Sequence, residues 1–146
     1  MDTGRKGKVL VFLQFSAIAG LLKVGVDVGI SLTGWILIGL SALCGFAALM
    51  AMRKSRFSIF PPPHKEAELI SSGVYAVIRH PMYSAVLLFC LGCIIHTPQL
   101  WPYSIWIGLM IVLILKIQLE EKLLLAKFPG YVDYSKRTYR LLPFIW

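Results

Sequence analysis

The sequence has little charge. Asp, Glu, Lys and Arg together make up 15% of its 146 residues, whereas hydrophobic residues make up 58%. In an ordinary soluble domain the charged residues alone are about a quarter of the chain. The composition therefore excludes such a domain and indicates an integral membrane protein. Since each membrane span uses about 20 residues, the chain has room for one bundle of four spans with loops and short tails.

Cysteine is also scarce. The three cysteines, Cys44, Cys90 and Cys93, all lie in apolar segments. Cys90 and Cys93 form a C-x-x-C pair near His96, which invites a metal or redox interpretation. A zinc site needs four ligands, however, and the sequence has no second cysteine pair. We therefore expect the cysteines to pack between helices as small, soft side chains, and we expect no metal site.

Acidic residues are few. Seven Asp and Glu stand against fifteen Lys and Arg, which gives a formal net charge of +8. In a soluble protein this excess would suggest nucleic acid. With spans at about 9–29, 30–52, 82–97 and 102–121, fourteen of the basic residues fall on one side and only Lys23 on the other. The positive-inside rule makes that side cytoplasmic, so we predict a multi-pass protein with both termini in the cytoplasm and no nucleic-acid partner.

The first apolar segment is the weakest candidate span. Lys23 and Asp27 follow only 14 apolar residues, so we expect the span to extend by snorkelling or to end in a polar pocket. Its basic start and Ala17-Ile18-Ala19, which offers a possible cleavage site, also allow a secretory signal peptide as an alternative.

The remaining segments predict a single all-α domain over residues 1–146. A cytoplasmic loop is expected over 53–81, and small residues in the second span favour close helix packing. The short, uncharged connection "HTPQLWP" predicts that the third and fourth spans form an antiparallel hairpin. The tail over 122–146 is too apolar and aromatic for disorder, so we expect it to fold over the cytoplasmic end of the bundle.

Polar residues converge at that end of the hairpin. They are Tyr75, Arg79, His80, Tyr83, Lys116, Glu120 and Glu121. Ionisable groups at the edge of an apolar bundle are costly unless paired, which makes them site candidates. Purely structural roles remain open as well: a Lys116–Glu120 salt bridge at i,i+4, His80 as an N-capping residue ahead of Pro81, and Arg79 as a topology anchor.

Two motifs add a family resemblance. "GVYAVIRHPMY" begins at Gly73, and "EEKLLLAKFPGYVDYSKRTYRLLP" begins at Glu120. Together they resemble the isoprenylcysteine carboxyl methyltransferase family and its relatives among the phospholipid methyltransferases. The resemblance covers the chain from about Phe60 to the end, and R-H-P-x-Y combined with E-E and F-x-G-Y is fairly specific.

The resemblance implies S-adenosylmethionine-dependent methyl transfer to a lipidic acceptor in the bilayer, with the active site at the cytoplasmic face. The acceptor implied first is a carboxylate such as that of a prenylcysteine. By position, the implied catalytic residues are Glu120, Lys116 and His80, and Lys116 is the substrate-binding residue. The implied cofactor-binding residues are Ala67, Glu68, Leu69, Ile70, Tyr75, His80, Pro81, Met82, Tyr83 and Glu120.

Other functions remain open at this stage. A phospholipid amine acceptor would have to lose a proton, which Glu120 or His80 could accept. A small transporter would use Lys23, Asp27 and Glu120 to line a polar path, but the centres of the second and third spans carry no charge. A structural membrane subunit is the third alternative. The sequence does not define the acceptor or the oligomeric state.

Overall fold

The computed structural model describes residues 3–54 and 69–143, and in these residues the fold is all-helical. Five α-helices and one 3₁₀ turn are present: α1 (Thr3–Val28), α2 (Leu32–Lys54), the 3₁₀ turn (Gly73–Ala76), α3 (Pro81–Ile94), α4 (Trp101–Lys127) and α5 (Tyr131–Arg137). The predicted all-α class is confirmed.

The long helices alternate in direction. Gly34 near the start of α2 contacts Gly92 near the end of α3, whereas Cys44, farther along α2, donates a hydrogen bond to the Pro81 carbonyl at the start of α3 (3.5 Å). These contacts make α2 and α3 antiparallel. The start of α2, like the end of α3, therefore lies at the end of the bundle away from Pro81.

The predicted hairpin of the third and fourth apolar segments is confirmed by contacts along its length. Near its closed end, the Tyr103 hydroxyl donates to the Ile94 carbonyl (3.1 Å), and the Trp106 indole donates to the Leu87 carbonyl (2.9 Å). At its open end Arg79 reaches Glu121. The start of α3 and the end of α4 are therefore neighbours.

Helix α3 is shorter than expected. Within the described parts of the chain, three helices (α1, α2 and α4) are long and apolar enough to cross a membrane, whereas α3 has only 14 residues. At 1.5 Å per residue α3 is about 21 Å long, less than the ~30 Å hydrocarbon core. Pro81 fixes its first turn, and Pro98 disfavours helical continuation from the residue before it. The four-span prediction is therefore approximate.

Helix α1 is longer and more regular than its sequence suggested. It continues through Lys23 and Asp27, which form an exposed i,i+4 ion pair of 2.8 Å. Lys23 and Asp27 therefore do not form the polar pocket that was expected at this point. Farther from the surface, Leu21 and Val24 pack into the core.

Small residues bring the helices close together, as expected for a membrane bundle. A β-carbon added to Gly92 would lie 2.8 Å from the Gly34 carbonyl oxygen, and one added to Gly25 would lie 3.0 Å from the β-carbon of Cys93. Cys90 and Cys93 are buried in the core shared by α1, α3 and α4. In the described part of the chain, no group of three or more His, Cys, Asp and Glu is placed to hold a metal ion.

The tail folds back onto the bundle. After α5 it runs beside the segment that precedes α3, where Ile78 and Tyr139 form a parallel β-bridge. The Arg79 and His80 amides donate to the carbonyls of Tyr139 (2.7 Å) and Arg140 (3.0 Å). The tail thereby fixes the backbone of the R-H-P motif against the end of the bundle.

Candidate functional site

A cavity of about 350 Å³ lies at the end of the bundle that carries the tail. Its size falls within the range of about 300–1,000 Å³ usual for small-molecule sites. Helices α2, α3, α4 and α5 and the segment before α3 supply its walls. The lining residues are Leu49, Met52, Leu69, Ile70, Tyr75, Arg79, His80, Met82, Tyr83, Glu120, Leu124, Tyr131 and Tyr134.

Most of the residues implied by the resemblance meet at this cavity. Seven of them line it: Leu69, Ile70, Tyr75, His80, Met82, Tyr83 and Glu120. Pro81 is buried at the start of α3 and Lys116 is half-buried on α4, and neither is among the lining residues. Ala67 and Glu68 lie outside the described residues.

His80 occupies the N-cap position of α3, but its imidazole makes no capping hydrogen bond. The side chain is only 7% exposed. Its Nδ1 lies 3.7 Å from Glu120 Oε2, and its Nε2 lies 3.5 Å from Glu121 Oε1. Among the described residues, the buried Nε2 has no hydrogen-bond partner. Nε2 faces the buried Glu121 carboxylate at ion-pair distance, so the imidazole lies between two carboxylates at the wall of the cavity.

Tyr83 connects three charged or polar groups. Its hydroxyl donates to Glu120 Oε1 (2.5 Å), and its ring stacks with the His80 imidazole at a centroid separation of 5.7 Å. The Lys116 ammonium lies 5.0 Å from the centroid of the same ring. Glu120 remains 40% exposed at the cavity. Tyr83 therefore holds a partly exposed carboxylate in place, and its ring already has a cationic neighbour.

Lys116 turns away from Glu120. Its ammonium donates a hydrogen bond of 2.9 Å to Oε1 of Gln14 on α1. Lys116 therefore makes a contact between α4 and α1 instead of the i,i+4 salt bridge to Glu120 that its spacing suggested.

Arg79, Glu121 and Arg140 form a buried ionic cluster beside the cavity. Glu121 accepts from Arg79 Nε (2.7 Å) and from Arg140 Nε (3.0 Å). Arg79 Nη1 also donates to the carbonyls of Ser135 (2.8 Å) and Thr138. These bonds join the start of α3, the end of α4 and the tail, so Arg79 acts as an anchor for the tail.

Tyr131 is one of five cavity residues that the sequence analysis did not assign to the site; the others are Leu49, Met52, Leu124 and Tyr134. The Tyr131 side chain is 1% exposed, and its hydroxyl has no hydrogen-bond partner among the described residues. The hydroxyl of Tyr134, one turn later on α5, donates to the Tyr75 carbonyl (2.7 Å). Burial raises the pKa of Tyr131 above its usual value and that of Tyr134 to about 12. Both phenols therefore stay protonated near neutral pH, and Tyr131 can donate to a ligand.

One signal in the sequence pointed toward this residue. The F-P-G-Y-x-x-Y segment places two tyrosines at i,i+3, and such a pair shares one face of a helix. The direction of that face depends on how the tail folds back. The sequence alone does not give that geometry.

The fold and the site define a small helical membrane protein with a ligand-sized cavity at one end. Comparison with known proteins agrees with this class: the profile of the phospholipid methyltransferase family matches residues 30–130. The chain belongs to the phospholipid methyltransferase family, and the resemblance seen in its motifs is confirmed at that level.

A similar curated protein is the cobalt-zinc-cadmium resistance protein CzcN of Cupriavidus metallidurans. It is 32% identical over 81 residues, which is 54% of this chain and 37% of the relative. The match thus spans well under half of the relative's length. No solved structure matches the chain.

Proposed function

We propose that the chain is an S-adenosylmethionine-dependent methyltransferase whose active site is the cavity between α2, α3, α4 and α5. Membership of the phospholipid methyltransferase family supports a membrane methyltransferase activity in general. The observation that carries the proposal is a partly exposed carboxylate, Glu120, in a ligand-sized cavity that the buried side chains of His80 and Tyr131 also line.

The residues present fit S-adenosylmethionine. Apolar walls from Leu49, Met52 and Ile70 suit an adenine ring and an aliphatic chain. The Glu120 carboxylate suits a sulfonium cation, since opposite charges attract strongly in a pocket shielded from water. His80 Nε2 and the Tyr131 hydroxyl suit the carboxylate or the ribose hydroxyls of the cofactor. When bound, the cofactor supplies an electrophilic methyl group.

The contribution of the protein is then chiefly positioning. Tyr83 orients Glu120, and α5 contributes Tyr131 and Tyr134 to the wall of the cavity. Holding the reacting groups close together can supply a large part of a rate acceleration when little proton movement is needed. Methylation of a carboxylate oxygen is a reaction of that kind.

The methyl acceptor in this proposal is a lipidic carboxylate, such as that of a prenylcysteine. Leu49 and Met82 line the cavity and remain 44% and 37% exposed, which suits contact with the apolar tail of a lipidic acceptor. The Lys116 charge, one turn from Glu120, would attract an anionic acceptor through space.

A phospholipid amine is the second candidate acceptor, and the description of the matched family favours it. An amine must lose a proton on methylation. The carboxylate of Glu120 and the imidazole of His80, whose Nδ1 lies 3.7 Å from Glu120 Oε2, are the groups placed to accept it.

Methyl transfer from labelled S-adenosylmethionine tests the proposal directly. Protein purified in detergent should methylate a prenylcysteine analogue, and Lys116→Met should lower kcat/KM for that acceptor. Methylation of phosphatidylethanolamine, with Lys116→Met neutral or favourable, would instead establish the amine reaction. Transfer to neither acceptor would contradict the proposed acceptor class.

A further inference from the structure

Gln14 is an unusual residue for its position. It lies within the apolar part of α1 and is only 8% exposed, so the residue is buried. Burial of an amide is costly unless it is hydrogen-bonded. Its Oε1 accepts a hydrogen bond from Lys116 Nζ (2.9 Å). The residue also lies outside the segment 30–130 that matches the family.

This contact settles the direction of the Lys116 side chain. A lysine on α4 has four carbons of flexible stem, and two acceptors lie within its reach: Gln14 on α1 and Glu120 at i,i+4 on its own helix. The ammonium binds Gln14 and lies 5.0 Å from the Tyr83 ring centroid.

This arrangement leaves the Glu120 carboxylate accessible at the cavity. Its Oε1 accepts from the Tyr83 hydroxyl, and its side chain stays 40% exposed at the cavity. If Gln14 offered no acceptor, the Lys116 ammonium could pair with Glu120, which lies one turn away on the same helix. The ion pair so formed would neutralise the carboxylate that faces the cavity.

We infer that Gln14 is a positioning residue of the site: it holds the Lys116 ammonium against Tyr83 and away from Glu120, so that Glu120 stays free for a cationic ligand. The inference rests on the proposed function, since that function supplies the cation. It also gives α1 a part in the site, although no residue of α1 lines the cavity among the described residues.

The test is a double-mutant cycle with Gln14→Met, which keeps the length of the side chain but removes the acceptor. In the parent background Gln14→Met should weaken S-adenosylmethionine binding, measured by calorimetry, by about tenfold, the size expected for a charge-assisted contact. In a Lys116→Met background the same replacement should change the affinity less than twofold, because no ammonium remains to capture Glu120. Gln14→Glu, which retains an acceptor for Lys116, should bind as the parent does.

The matched control is Ser16→Met, which places the same side chain on an exposed position of α1 and should leave the affinity unchanged. Equal loss of affinity from Gln14→Met in both backgrounds, or no loss in either, would overturn the inference.

Stability in the absence of ligand separates this inference from the proposed function. The effects of Gln14→Met and Lys116→Met on SDS-induced unfolding should be non-additive, because the two side chains are bonded to each other. If the parent protein binds no S-adenosylmethionine, the proposed function fails and the positioning role fails with it. Non-additivity in unfolding would then still report the Gln14–Lys116 contact.

Discussion

Arg79 and Glu121, 42 positions apart in the sequence, form an ion pair of 2.7 Å in which the two side chains are only 8% and 10% exposed. Arg79 directly precedes His80 and Pro81 at the start of α3, and Glu121 directly follows the cavity carboxylate Glu120 on α4. The pair therefore fixes the relative position of the two elements that supply the polar side of the cavity. Arg140 completes the cluster from the tail.

Removal of one member of this pair should destabilise the protein strongly. Arg79→Met leaves Glu121 with fewer partners in a buried setting, and the loss of one partner of a buried ion pair typically costs about 3–5 kcal/mol. SDS or thermal unfolding in detergent measures the change. Replacement of both Arg79 and Glu121 by Met should cost less than the sum of the two single replacements.

The Asp133–Lys136 pair is the matched control for that experiment. It has a similar charge separation, 3.4 Å, but its side chains are 73% and 69% exposed. Lys136→Met should shift stability by less than about 1 kcal/mol. A similar loss for Arg79→Met and Lys136→Met would show that the buried cluster has no special structural role.

The close approach of α2 and α3 predicts a sharp difference between two glycines. Gly92→Ala places a β-carbon 2.8 Å from the backbone carbonyl oxygen of Gly34 and 3.0 Å from the Ile38 side chain. The helices must separate, which should cost about 1–3 kcal/mol. Gly39→Ala on α2 meets open space and should be neutral or slightly stabilising, because alanine favours the helix. The same unfolding assay compares them, and equal effects would contradict the packing described.

Loss of the Tyr131 hydroxyl should lower ligand affinity, whereas loss of the Tyr134 hydroxyl should lower stability. Tyr131→Phe removes a hydroxyl that has no partner among the described residues, so stability without ligand should be maintained while S-adenosylmethionine affinity falls several-fold. Tyr134→Phe removes the bond to the Tyr75 carbonyl and should lower stability by about 1 kcal/mol. Unfolding and calorimetry on both variants measure the two effects. An unchanged affinity for Tyr131→Phe would remove this hydroxyl from the ligand site.

The proposed orientation in the membrane can be tested by cysteine labelling. In a cysteine-free variant, an impermeant thiol reagent applied outside intact cells should reach Gln99→Cys, which lies in the exposed α3–α4 connection. The same reagent should not reach Lys136→Cys in the tail, because the positive-inside rule places the tail in the cytoplasm. Labelling at position 136 from outside would contradict the cytoplasmic location of the site.

Much of the fold could be predicted from local sequence features. Apolar runs predicted α1, α2 and α4, and the uncharged connection predicted the hairpin, because helices in lipid must be long and their ends polar. That hairpin brings His80 and Glu120 to the same end of the bundle. The roles implied for these residues came from the motif resemblance, and the geometry adds that both face one cavity.

The rest depended on contacts that local patterns do not encode. Gln14 and Lys116 are 102 positions apart, and the spacing of Lys116 to Glu120 favoured a different partner. Tyr131 faces the cavity only because the tail pairs with the segment before α3 through Ile78 and Tyr139. Such pairings are decided by three-dimensional packing, so the sequence could place these residues near the site but not give them a contact.

The most direct test of the central claim is calorimetric binding of S-adenosylmethionine to the purified protein in detergent, compared with Glu120→Gln and His80→Ala. The account predicts saturable binding to the parent and a loss of about tenfold or more for each variant, because Glu120 supplies the only carboxylate among the described cavity-lining residues and His80 supplies the imidazole that borders it. Each variant should unfold at a similar SDS concentration to the parent. The absence of binding to the parent, or equally tight binding to all three folded proteins, would contradict the assignment of this cavity as the cofactor site.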